Sequence, residues 1–116
     1  MADDGMLLVM KKGDTSPDFR AQCRDGKDAN GVPIGKNLTG AASVKLLVHK
    51  PVVLDKPLTI ENQVSNPGWV NCQWVVGDTD LSGTFDVEVE VTWAGGSKQT
   101  FPPNGYGLLV IEDDLG

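Results

Sequence analysis

His49 is the only histidine in the 116 residues, so neither a Ser-His-Asp triad nor a His-based zinc site of the usual kind can be assembled. It stands in "LLVHKP" and reads as a strand-end residue. Cys23 and Cys72 fall on the apolar sides of "DFRAQCRD" and "WVNCQWVV", where burial raises a thiol pKa and makes it inert. They pair only if their strands bring them together, and free buried thiols are the favoured reading. Asp78, Asp80 and Asp86 offer the hard oxygens calcium takes, but they lack the terminal Glu of an EF-hand loop. Asx bonding in a turn explains the first two without a metal. The "NLT" at Asn37 is a glycosylation sequon in form only, and "EDD" (Glu112 to Asp114) reads as a solvated tail. No catalytic, cofactor or metal set emerges, so the expectation is a protein that is not an enzyme and holds no cofactor.

Charge and aromatic residues offer a different chemistry, that of surfaces. Asp86, Glu88 and Glu90 lie about 7 Å apart on one strand face and repel by about 0.6 kcal/mol per adjacent pair in water. A solvated face tolerates this; alternatively a neighbouring subunit presents Lys or Arg to it. Trp69 and Trp93 stand at strand ends, as anchors under loops or, if exposed, as interface hot spots. In "FPPNGYG" (Phe101 to Gly107), Pro102 and Pro103 cannot donate to a sheet ladder, so the last strand is interrupted there. That loop either caps one end of the fold or protrudes as a stiff contact loop carrying Tyr106.

The elements that must position these residues are strands. Alternation of period two recurs: Phe19, Ala21 and Cys23 against Arg20, Gln22 and Arg24; Val70, Cys72, Trp74 and Val76 against Asn71 and Gln73. The clearest run puts Phe85, Val87, Val89, Val91 and Trp93 on one side and Thr84, Asp86, Glu88, Glu90 and Thr92 on the other. Turn-rich segments such as "RDGKDANGVP", "SNPG" and "GDTDLSG" separate the runs, and Gly95-Gly96 predicts a two-residue hairpin turn. With 14 glycines and 7 prolines, long helices are excluded. The prediction is all-β: an immunoglobulin-like antiparallel β-sandwich of about seven strands, one domain over residues 1–116.

A net charge of −6 with Lys11-Lys12 as the only basic pair argues against nucleic acid. No stretch is long and apolar enough for a membrane span, and the acidic "MADDG" start is unlike a signal peptide, so synthesis in a cytoplasm is expected.

"DTDLSGTFDVEV" resembles the corner that feeds the penultimate strand of immunoglobulin-like domains, with Phe85 at the usual Tyr and Val87 where antibody domains carry their second cysteine. More widely, "KKGDTSPDFRAQCRDGKDANGVPIGKNLTGAASVKLLVHK" and "WVVGDTDLSGTFDVEVEVTWAGGSKQTFPPNGYGLLVIEDDL" are similar to the start and end of the N-terminal domain of tailed-phage baseplate upper proteins. The similarity spans nearly the whole chain. It implies a virion structural module, made in the bacterial host cytoplasm, that docks on other virion proteins: tail, baseplate or fibre proteins, or alternatively the major capsid protein as a decoration protein. Multiple copies in the particle are implied too. With the chain ending at Gly116, a free-standing module without a downstream fibre part is expected.

Two runs are apolar on both faces, "MLLVM" and "LLVIE". Terminal strands of such sandwiches often lie side by side near a sheet edge. Either both faces of these runs meet the chain's own core and loops, or the edge is an interaction surface. In the second case Leu7, Leu8, Val9, Met10, Leu108, Leu109 and Ile111 are the candidate protein interface, with Pro102, Pro103 and Tyr106 from the proline loop. On that reading Leu8→Asp or Leu109→Asp abolishes incorporation into particles while leaving a soluble fold. The competing reading is a carbohydrate-binding sandwich, for which Trp69, Trp93 and Tyr106 are the platform.

Overall fold

A computed structural model describes residues 6–103 and 105–113; the "MADDG" start, Asn104 of the proline loop and residues 114–116 of the acidic tail lie outside the described residues. Strands are the regular structure throughout, and they form several sheets around one core, an arrangement compatible with an all-β sandwich. There are eleven strands among the described residues, against about seven expected: β1 (Leu7–Lys11), β2 (Phe19–Gln22), β3 (Arg24–Lys27), β4 (Pro33–Gly35), β5 (Ala41–Val48), β6 (Leu54–Pro57), β7 (Thr59–Ile60), β8 (Trp69–Cys72), β9 (Gly83–Trp93), β10 (Lys98–Phe101) and β11 (Gly107–Glu112). Part of the excess comes from "RDGKDANGVP". Its Asp28 carboxylate accepts from the amides of Asn30 and Val32, an Asx turn that folds the segment into a β3–β4 hairpin.

The long strand β9 organises the larger sheet, whose order is β1-β11-β9-β5-β6. One side of β9 pairs with β5; the other pairs with β11 over its first half and β10 over its second. The break between β10 and β11 falls at Pro102-Pro103, as the missing amide donors predict. The hairpin at Gly95-Gly96 differs from expectation. Its loop is Ala94-Gly95-Gly96, with Trp93 and Ser97 bonded across it, and only Gly96 has positive φ. That pattern matches a three-residue loop with one left-handed position, which needs a single glycine.

β1 pairs with β11 in parallel, so the sheet is not antiparallel throughout. These strands come from opposite ends of the described chain, and no hairpin dictates their relative direction. At Gly107 a side chain would collide with Met6, so the absence of a Cβ lets the start of β1 settle against β11.

The smaller sheet has the order β2-β8-β7. The chain passes between sheets at Leu58, whose amide bonds Val44 while Pro57 ends β6 and Thr59 begins β7. Between the sheets lie Phe19, Ala21, Val70 and Trp74 on one side and Val44, Leu46, Val48, Val87, Val89 and Val91 on the other. Each such aliphatic or aromatic side chain contributes about 1.5–3 kcal/mol on burial. Phe19 meets Trp74 edge-on at 6.1 Å.

Val76, expected inside, is 92% exposed. β8 ends at Cys72, and a turn over residues 75–78 rotates the chain outward. Its bonds are Asp78 N to Val75 O at 3.1 Å and Val75 N to the Asp78 carboxylate at 2.9 Å. Immediately after it, buried Thr79 donates its hydroxyl to Asp14 O at 2.6 Å and accepts from Gly13 N at 2.9 Å. The two "GDT" segments, residues 13–15 and 77–79, thus bond to each other and tie the turn before β2 to the corner before β9.

Candidate interaction surface

Strand parity divides the ten candidate interface residues. Along β1, Leu7 and Val9 point away from the core at 52% and 49% exposure; Leu8 packs partly against the core and Met10 is buried. Along β11, Leu108 faces outward half-buried, whereas Leu109 and Ile111 are buried. In the proline loop Pro102 is buried, and Pro103 and Tyr106 are exposed. Met10, Leu109, Ile111 and Pro102 are therefore core residues and cannot touch a partner, so Leu109→Asp cannot leave the fold intact.

The parallel register places Leu7 beside Leu108 and Val9 beside Val110. Val110, which the sequence reading missed, shares the outward parity of Leu108. An aliphatic patch of four residues results, at the edge of the larger sheet, with Tyr106 at one end and the Lys11–Glu112 ion pair (3.1 Å) at the other. β1 is the edge strand, and its outer backbone row has no partner strand among the described residues.

On the same face β9 presents its acidic stripe. His49, just past β5, lies 2.7 Å from Glu88 through Nε2 and sets its ring edge-on to Tyr106 at 5.8 Å. Glu90 is held by Lys45 at 3.7 Å and Lys98 at 3.6 Å. Two of the three carboxylates are thus countered from within the chain. Asp86, opposite Leu108 in the ladder, is exposed and its carboxylate has no partner among the described residues.

Asp78, Asp80 and Asp86 do not converge. Asp78 bonds Lys56 at 2.6 Å and Asp86 belongs to the outer sheet face. Among the described residues no three of His, Cys, Asp and Glu gather as a metal site. The three aromatics form no common platform either. Trp69 is on the outer face of the smaller sheet, Trp93 packs partly against the core, and Tyr106 is beside β11.

One face of the Trp69 ring is covered by the Arg20 guanidinium, 3.9 Å from the ring centroid. Arg20 also binds Glu61 through Nε and Nη2 at 2.8 and 2.9 Å, and Asn71 adds a third bond at 2.9 Å. The hydrogen bond from Arg20 is the main cause holding Glu61 below the usual glutamate range. A depressed folded-state pKa stabilises above the unfolded value and loses that contribution as pH falls through the folded one. Glu61→Gln is therefore expected to lower the urea midpoint at neutral pH, and the two proteins should converge below the ordinary value of 4.5. Parallel curves at all pH values would exclude this assignment.

A cleft of about 410 Å³ opens where β6 gives way to β7, lined by Asp18, Lys56, Thr59, Asn71, Cys72 and Gln73. Its only thiol is no nucleophile as it stands: burial pushes Cys72 up to about 11 and Cys23 up to about 12. Both are free and buried. Cys72 stands opposite Phe19, so Cys23 lies four residues further along, about 13 Å away, beyond disulfide reach. Neither thiol should react with Ellman's reagent in native protein at mildly alkaline pH, and both should react on unfolding. Fast native labelling of Cys23 would contradict the packing.

Comparison with known proteins gave no match among family models, curated proteins or solved structures. Among the described residues no helix is long and apolar enough to cross a membrane.

Proposed function

We propose that this chain is a structural protein of a tailed-phage virion, an immunoglobulin-like adaptor that docks in the tail, baseplate or fibre-attachment region through protein–protein contacts. The observation that carries the contact reading is the aliphatic patch of Leu7, Val9, Leu108 and Val110 on a sheet face beside an open edge. Leu7 and Val9 are exposed and Leu108 and Val110 half-buried, and a contiguous aliphatic surface of this kind marks an interaction site. The immunoglobulin-like reading is supported by strand order: the first strand beside the last, then the long strand β9, in one sheet, facing a separate three-stranded sheet. The phage assignment rests on the resemblance over both halves of the chain, and multiple copies would add avidity to weak individual contacts. Scattered aromatics, one of them capped by Arg20, weigh against the carbohydrate platform.

The test replaces only outward residues. A Val9→Asp/Val110→Asp variant, folded by circular dichroism, is expected to cut the copies bound to purified particles by at least about tenfold, as loss of a central contact does. Unchanged incorporation overturns the reading.

A further inference from the structure

The acidic stripe of β9 is neutralised unevenly, and the exception adjoins the aliphatic patch. Glu88 has His49, and Glu90 has Lys45 and Lys98, while Asp86 has no cation among the described residues. In the ladder Asp86 stands directly opposite Leu108, with Thr84 opposite Val110. Any partner that covers Leu108 and Val110 must also lie against the Asp86 carboxylate. Covering that carboxylate without a counter-charge is unfavourable, so a covering surface that fits carries a cation there.

A second copy of this chain does not meet the requirement. It would bring the same unpaired carboxylate and the same aliphatic rows, on a protein whose net charge is −6. Like charges brought together across an interface disfavour that partner. The two rows, Leu7 and Val9 beside Leu108 and Val110, repeat at about 7 Å along their strands, the side-chain period of an extended chain.

We propose that the outer face of β1 and β11, together with Asp86, docks an extended segment of a different protein that presents aliphatic side chains and a Lys or Arg on the same side, at every second position. This deepens the adaptor reading and rests on it. Binding measured in solution and incorporation into particles are separate readouts, so either can fail without the other.

Two short blocked peptides of equal length are titrated into isotope-labelled protein, one carrying Val, Val and Lys at successive same-side positions with Ser between them, and the other with Glu in place of that Lys. Methyl resonances of Leu7, Val9, Leu108 and Val110 report contact. The Lys peptide is expected to shift these resonances saturably, and the Glu peptide to bind more weakly. Asp86→Asn is expected to weaken the Lys peptide by about two- to fivefold, the scale of a partly exposed charge pair. Salt should weaken it in native protein more than in the variant. Equal response to both peptides, no response, or shifts confined to another face would overturn the proposal. So would reversible self-association, seen by sedimentation, that Val9→Asp abolishes, since a second copy would then be the occupant.

Discussion

Leu109→Asp is expected to abolish folding, while Val110→Asp, one residue further along the same strand, leaves a cooperatively folded protein. Leu109 is 0% exposed, between Leu8 of β1 and Phe85 of β9 in the ladder. Truncating a buried leucine alone costs about 2–5 kcal/mol, and an unpaired carboxylate in its place adds several more. Domains of this size carry only about 5–15 kcal/mol of net stability, so little remains. Val110 has the opposite parity, with Val9 and Thr84 as ladder neighbours on the outer face. There the substitution loses β-branched packing between neighbours, worth about 1 kcal/mol at most. Urea denaturation followed by circular dichroism decides it. A normal transition for Leu109→Asp, with collapse for Val110→Asp, would mean β11 is registered one residue away from the pairing described.

This contrast also marks where the sequence stops being informative. In β9 one parity is apolar and the other charged, so burial of Phe85, Val87, Val89 and Val91 followed from alternation alone. In "MLLVM" and "LLVIE" both parities are apolar, and alternation leaves the choice of face open. Tertiary placement makes it: Met6 closes over Gly107, and Met10 and Ile111 enter the core. Val76 failed for another reason. Period two was carried past the end of β8 into a turn that the Asp78 carboxylate stabilises through the Val75 amide. Glycine pairs were legible as a hairpin, although whether one or two positive φ angles are needed depends on loop length.

The candidate surface was half legible for similar reasons. Edge position and apolar character were readable from the terminal strands, but the neutralisation of individual carboxylates was not. Glu88 finds His49 across the sheet, and Glu90 finds Lys45 and Lys98 from two different strands. Only the β5-β9-β10 register, set by the core residues beneath, decides that Asp86 is the one left over.

Removing the ammonium group of Lys56 is expected to cause the largest loss of stability among changes to polar side chains. Lys56 on β6 and Asp78 in the corner pair at 2.6 Å, with only 12% and 10% of their side chains exposed. Asp78 also accepts from the Val75 amide, and its carbonyl accepts from Lys50. One aspartate thereby joins the edge of the larger sheet to the turn leading from β8 to β9. Lys56→Met keeps the aliphatic stem but leaves the carboxylate largely desolvated, a change that costs about 3–5 kcal/mol when an ion pair is buried. Exposure on the rim puts the expectation at the lower end of that range. Asp78→Asn in the Lys56→Met background should recover part of it, because a neutral amide oxygen still accepts the Val75 bond without an orphaned charge. Additive losses in the double variant would show that the two side chains act independently, and the corner would then owe its position to Thr79 and the chain segment at Asp14 instead.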